Sequence, residues 1–170
     1  MLQWLPRRTW SVFRFTANGK CRFMKVRDCT IEDIGRICEL LGQLWPGVEV
    51  DTPEMKRCFE RGLRSPNQRY VCAVREERVV GFCSLNVKNN LWQQGLLGHV
   101  DELVVDEKHR RMGIGSALLR RIEQIAAEMG CRRLELDSAY QRVESHAFYE
   151  NLGFQNRARL FSKQIVTTDR

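Results

Sequence analysis

No acidic residue occurs before Asp28, no proline after Pro66, no CxxC pair anywhere, and no apolar run approaches the roughly 18 residues that span a bilayer. With no continuous apolar stretch of the secretory kind near the N-terminus either, neither a membrane partner nor a secretory leader is expected. The seven cysteines are an odd number and scattered. Zinc or a disulfide framework is therefore not expected, and the thiols read as reduced ones in a cytoplasmic protein without a metal.

The acidic gap is equally informative. Residues 1–27 carry Arg7, Arg8, Arg14, Lys20, Arg22, Lys25 and Arg27, seven basic residues that account for the whole net charge of +7. The rest of the chain is neutral. Phosphate-backbone affinity needs basic residues concentrated on the folded surface, so no nucleic-acid partner is expected. Residues 1–23, rich in Arg and Trp, read as a transit-like extension or, the reading adopted, translated upstream sequence, with Met24 opening the patterned chain.

What is present suits one domain over 24–168, because 170 residues with 43% apolar content bury one good core. A short strand over 22–28 precedes a helix capped by Thr30 with Ile31, Ile34, Ile37, Leu41 and Leu44 at helical spacing, stopped at Trp45-Pro46-Gly47. A second helix starts with Thr52 as cap and Pro53 behind it, turns Met55, Phe59 and Leu63 inward, and ends before Ser65-Pro66. An antiparallel hairpin over 69–75 and 79–87 follows, then a strand over 97–106 and the longest helix over 113–129, ended by Gly130. A strand over 133–138, a helix over 144–152 and a last strand over 154–165 complete an α/β layer architecture.

The chemistry concentrates where the 97–106 strand meets the long helix. Arg110, Arg111, Met112, Gly113, Ile114, Gly115 and Ser116 form a basic, glycine-bearing turn at a helix N-terminus, where backbone N–H groups lack intrahelical partners and the macrodipole is positive. Such a turn suits a phosphate. An isolated GxG more often only turns the chain; here the pattern R-x-x-G-x-G follows a strand and opens a helix, and it lacks the Gly-Lys-Ser/Thr ending of a nucleotide P-loop. It resembles the acetyl-CoA pyrophosphate loop of the GNAT superfamily of N-acetyltransferases.

A second match, Phe148-Tyr149 through Gly153-Phe154, resembles the late F-Y-x-x-x-G-F helix of that family. The resemblance spans about residues 24–165. It implies a mixed, mostly antiparallel sheet of about six or seven strands with about four helices, acetyl-CoA as cosubstrate, and direct attack by a primary amine in a ternary complex. It further implies that the backbone of Leu103, Val104 and Val105 pairs with the pantetheine arm, and that Tyr149 protonates the departing thiolate. Arg142 stands where many relatives have Asn, so a side-chain amide contact to the cofactor is not implied.

The attacking amine must lose its proton first, and the candidates on the approaching strand are His99, Asp101 and Glu102, with Asp101 preferred over Glu102. Alternation places His99 and Asp101 on one face and Glu102 on the other unless a bulge intervenes. The stretch Arg64 to Tyr70 (R-x-P-N-x-R-Y) with Glu102 to Val105 resembles aminoalkylphosphonate N-acetyltransferases; the Leu44-Trp45-Pro46 turn with Glu49 and Asp51 resembles aminoglycoside 6'-N-acetyltransferases. A small-molecule amine is the expected acceptor. A protein N-terminal or lysine acetyltransferase and a non-catalytic acetyl-CoA sensor are the alternatives, and a homodimer is left open.

Overall fold

The computed structural model describes residues 11–17, 20–49 and 51–165. The basic segment 1–23 lies outside the described residues at 1–10, 18 and 19. The chain forms two compact units, one ending at Leu136 and the other beginning at Asp137.

The first unit is built on one sheet. Strands β1 (Ser11–Ala17), β2 (Lys20–Asp28), β3 (Gln68–Arg75), β4 (Arg78–Asn90) and β5 (Gly95–Val100) lie side by side as antiparallel neighbours. Short β6 (Leu103–Val105) also pairs antiparallel with β4, and β7 (Cys131–Leu136) runs parallel to β5. Strand β1 was not foreseen from the sequence pattern. A parallel pair requires a crossover, supplied by α3 (Ile114–Glu128) between β6 and β7. Helices α1 (Ile34–Leu44) and α2 (Thr52–Arg64) join β2 to β3. The second unit contains α4 (Val143–Asn151), the fourth α-helix among the described residues, and the sheet of the first unit is mixed and mostly antiparallel, as expected.

Each sheet face takes its own helices. Ile37, Leu40 and Phe59 from α1 and α2 pack with Cys72, Phe82 and Val104. The helix α3 covers the opposite face, with Leu118, Leu119 and Ile122 fully buried, each side chain contributing about 1.5–3 kcal/mol by burial. A Cβ at Gly81 would meet Leu118 at 3.0 Å and Ile114 at 3.1 Å, so a glycine in β4 lets the first turn of α3 sit directly on the sheet.

Four expectations need correction. The strand expected over 97–106 is broken into β5 and β6, because Asp101 and Glu102 bulge out of the ladder. No strand forms over 154–165; alternation is a local signal, and a strand needs a partner ladder that these residues do not find. Asp51, rather than Thr52, caps α2, its carboxylate accepting the Glu54 N–H at 2.9 Å. Leu63 is exposed, since the inward seam of α2 runs through Phe59 and Gly62.

Candidate active site

Pairing arithmetic locates the site. Cys83 lies opposite Leu103 and Asn86 opposite His99, so Ser84 and Leu85 of β4 face three residues, Val100, Asp101 and Glu102. One extra residue is a β-bulge. Phe82, Ser84 and Asn86 share one face of β4, and their partners Val104 and His99 share it with them. The extra residue switches the alternation, so His99 and Glu102 stand on the same face instead of opposite ones.

Glu102 is held there by Ser84, a residue 1% exposed. The Glu102 N–H donates to Ser84 Oγ at 2.9 Å, the Ser84 N–H donates to the Glu102 carbonyl at 3.0 Å, and the Ser84 hydroxyl donates to the Glu102 carboxylate. Burial pushes the Glu102 carboxyl above its ordinary range; the Ser84 hydroxyl opposes this, Asp101 reinforces it and His99 opposes it. Asp101 is more exposed and engages His99, Oδ1 to Nδ1 at 2.9 Å. Opposite Ser84 on β3 stands Tyr70, stacked on Phe59 at 4.8 Å, with its hydroxyl pushed up to about 12 by burial and then by Glu102 and Asp101. A carboxylate raised by desolvation suits proton abstraction near neutral pH. Of the two neighbouring carboxylates, Glu102 is the one held by Ser84 and raised by burial, and Asp101 is the one engaged with His99.

Strand β6 carries Leu103, Val104 and Val105 away from the bulge. It pairs with β4 on one edge, while β7 runs beside β5 only as far as Leu136 opposite Val100. The other edge of β6 has no strand partner among the described residues. Next, Asp106 caps the turn Glu107–His109 by accepting the Lys108 N–H at 2.9 Å, and it is gripped by Arg36 of α1. Gln43, about two turns beyond on α1, accepts the Glu107 N–H at 3.0 Å. His109 Nδ1 lies 3.5 Å from Asp106 Oδ1.

The chain then turns sharply. Arg110 folds back to the Val105 carbonyl at 3.2 Å, Arg111 adopts φ +61°, and Gly113 adopts φ +76° as the cap of α3. A left-handed cap without a side chain suits glycine, and it leaves the N–H groups of Ile114, Gly115 and Ser116 with no side-chain cap from Gly113. Arg110, Arg111 and Met112 are exposed, whereas Ile114 is buried. One continuous segment therefore joins an open strand edge to an uncapped helix N-terminus.

Tyr149 belongs to the second unit. It is half-buried in α4, 5.3 Å from the Phe148 ring and 5.9 Å from the Phe154 ring, and the Phe154 N–H returns to its carbonyl at 3.1 Å.

The residues that suggested an acceptor have local partners. Arg69 donates to the carbonyls of Ser65, Pro66 and Gln68, Arg64 reaches Glu60 at 3.5 Å, and Asp51 is occupied as a cap. Cys29, Asp33 and Cys72 bring their ligand atoms within 4.8 Å of one another, but both Asp33 oxygens are already bound by Arg27 at 2.6 and 2.7 Å. Sequence reasoning overlooked Ser84 and Arg36, and it named Tyr70 only as part of the Arg64 to Tyr70 stretch. A serine inside the apolar run 79–85 was the available signal for the first.

Residues 34–154 match the family model described as Acetyltransferase (GNAT) family. The chain is 31% identical over 141 residues to the aminoalkylphosphonate N-acetyltransferase of Salmonella typhimurium, covering 83% of this chain and 91% of that protein. The crystal structure of glucosamine-6-phosphate N-acetyltransferase from Arabidopsis thaliana superimposes with a TM-score of 0.73 at 26% identity, over 84% of this chain and 99% of that one. The aminoglycoside N-acetyltransferase AAC(6')-Iy, solved in complex with CoA, shares the fold with a TM-score of 0.75 at 18% identity, over 84% and 94% of the two chains.

Proposed function

The chain belongs to the GNAT acetyltransferase family, and within it we propose a small-molecule N-acetyltransferase that uses Glu102 as the base toward a primary amine. As a member of that family it is an N-acetyltransferase whose acetyl donor is acetyl-CoA.

The residues present suit that donor. The open edge of β6 offers extended backbone to the amide-bearing arm, and the first turn of α3 offers N–H groups and helix-dipole charge to a pyrophosphate, with Arg110 and Arg111 beside it. When bound, acetyl-CoA supplies an activated thioester carbonyl. Leu103, Val104 and Val105 would hold the arm, and the segment from Arg110 to Ser116 would hold the phosphates.

Amines arrive protonated at neutral pH and have no lone pair to attack with. Glu102 accepts that proton: its desolvated carboxylate binds one more readily than an exposed carboxylate would. Asp101, with His99 against it, adds negative charge on the same segment and favours approach of an ammonium group. Tyr149 donates a proton to the departing thiolate, a role supported by the match of its helix to the family's late motif.

The observation that carries this reading is the bulge, which brings a half-buried, raised carboxylate to the start of the open strand edge. The acceptor class follows the relatives matched over nearly their whole length. Their names specify an aminoalkylphosphonate and glucosamine 6-phosphate, small amines with an anionic group. We therefore assign the same kind of acceptor here, ahead of an aminoglycoside.

Thiol release from acetyl-CoA, measured over aminoethylphosphonate, glucosamine 6-phosphate, aminoglycosides, polyamines and short peptides, tests the assignment. Highest kcat/KM on an anionic small amine is expected. Turnover confined to peptides would replace this reading with protein acetylation, and cofactor binding without turnover would replace it with a sensor.

A further inference from the structure

A buried serine in an otherwise apolar strand calls for a physical reason. Ser84 occupies the middle of β4, 1% exposed, between Cys83 and Leu85, which are fully buried. A hydroxyl taken out of water without a partner is destabilising, so its retention depends on what it binds. Both hydrogen bonds of the hydroxyl go to one residue, Glu102, from whose N–H it accepts and to whose carboxylate it donates, and the Ser84 N–H donates to the Glu102 carbonyl.

We propose that Ser84 is the positioning residue for the proposed base, holding the Glu102 backbone in the bulge and its carboxylate in one orientation. This inference rests on Glu102 being the base. The direction of the hydroxyl follows from its partners. Because Oγ already accepts the Glu102 N–H at 2.9 Å, its own proton points to the carboxylate oxygen Oε2. Oε1 is left with no hydrogen-bond partner among the described residues, and it is the oxygen that takes the proton from the amine. One small side chain thus selects both the backbone conformation and the proton-accepting atom.

The hydroxyl also sets when the carboxylate is ionised. Hydrogen bonding to the charged form favours it, so Ser84 counteracts burial and the adjacent Asp101. The other titratable groups in electrostatic contact with Glu102 are His99 on β5, Tyr70 on β3 and Cys83 on β4. Tyr70 is held up at about 12 and the Cys83 thiol is pushed up by burial, so both stay protonated near neutral pH.

The test is the pH profile of kcat/KM with the best acceptor, for the full chain and for Ser84→Ala, Ser84→Thr and Glu102→Gln, with folding checked by thermal melting. Ser84→Ala is expected to move the acidic limb up by about one pH unit and lower kcat about tenfold at neutral pH, with the acetyl-CoA KM unchanged within twofold. Ser84→Thr, which keeps the hydroxyl, is expected to restore the limb. In combination with Glu102→Gln the loss from Ser84→Ala should be non-additive. Should Ser84→Ala not fold, Ser84→Cys, of similar shape with a weak donor, must move the limb the same way.

A limb that stays in place in folded Ser84→Ala overturns the positioning role. A uniform loss at every pH with a raised acetyl-CoA KM overturns it equally, by making Ser84 structural only. Glu102→Gln separates the two readings: if that variant keeps the limb, the base itself is wrong, whereas if it loses the limb and Ser84→Ala does not shift it, only the present inference fails. The same profiles on His99→Asn identify any part of the limb due to the imidazole.

Discussion

The bulge at Asp101 and Glu102 and the turn from Arg110 to Ser116 are separated by a single short strand and differ in almost every physical respect. The turn is exposed, basic and made of backbone: what it would offer a phosphate is N–H groups at a helix start and two arginines. The bulge is partly buried, acidic and made of side chains, and its chemistry depends on Ser84, which is 18 residues away in sequence. A binding function can be assembled from contiguous residues with the right backbone. A proton-transfer function needs a low-dielectric neighbourhood, which only packing supplies.

The largest expected effect falls on the bulge. Glu102→Gln should lower kcat/KM by about 10²–10⁴ fold and flatten its acidic limb while acetyl-CoA binding persists. The sign follows from the raised carboxyl: the base form is lost as pH falls through the Glu102 pKa, so activity drops on the acid side and a glutamine removes that dependence. Equal loss of cofactor binding, measured by calorimetry, would erase the distinction between the two regions.

Tyr149→Phe is expected to reduce kcat by about 10 to 1,000 fold with cofactor affinity retained. An unchanged rate under single-turnover conditions removes the tyrosine from the reaction. On the side of the turn, Arg110→Ala should raise the acetyl-CoA KM about tenfold and leave the pH profile alone, because one charge-assisted contact to a phosphate is lost. A shift of the acidic limb in that variant would couple the turn to the base and contradict their separation.

The smallest effect belongs to Gly113→Ala. A residue with a Cβ at φ +76° costs about 1–2 kcal/mol, which corresponds to a melting-temperature drop of roughly 2–8 °C for a chain of this size. Saturating acetyl-CoA should recover part of that drop. Full recovery of native stability by the variant without ligand would show that the left-handed cap is not required.

Most of the architecture was readable from spacing. The helices α1 and α3 display apolar residues at helical intervals, and the β3–β4 hairpin follows from two β-rich runs around a polar turn. The Arg110–Ser116 turn was equally legible, because a strand, a basic glycine turn and a helix start are neighbours in the chain. The misreadings share a different cause. Strand β1 and the missing strand over 154–165 depend on whether a segment finds a ladder partner, and Asp51 rather than Thr52 caps α2 because of which oxygen reaches the Glu54 N–H.

The sequence by itself determined the family, the α/β class and the acetyl donor, because each of the two motifs that carry the family resemblance is contiguous in the chain and local backbone preference acts between close neighbours. Only the tertiary structure chose which carboxylate, Glu102, stands on the face of His99 and is hydrogen-bonded to Ser84. That choice depends on the register of β4 against β5 and β6, and on the desolvation that two packed sheet neighbours impose. A one-residue slip in pairing moves a side chain from one face to the other, and no period counted along a single strand contains the partner that produces it.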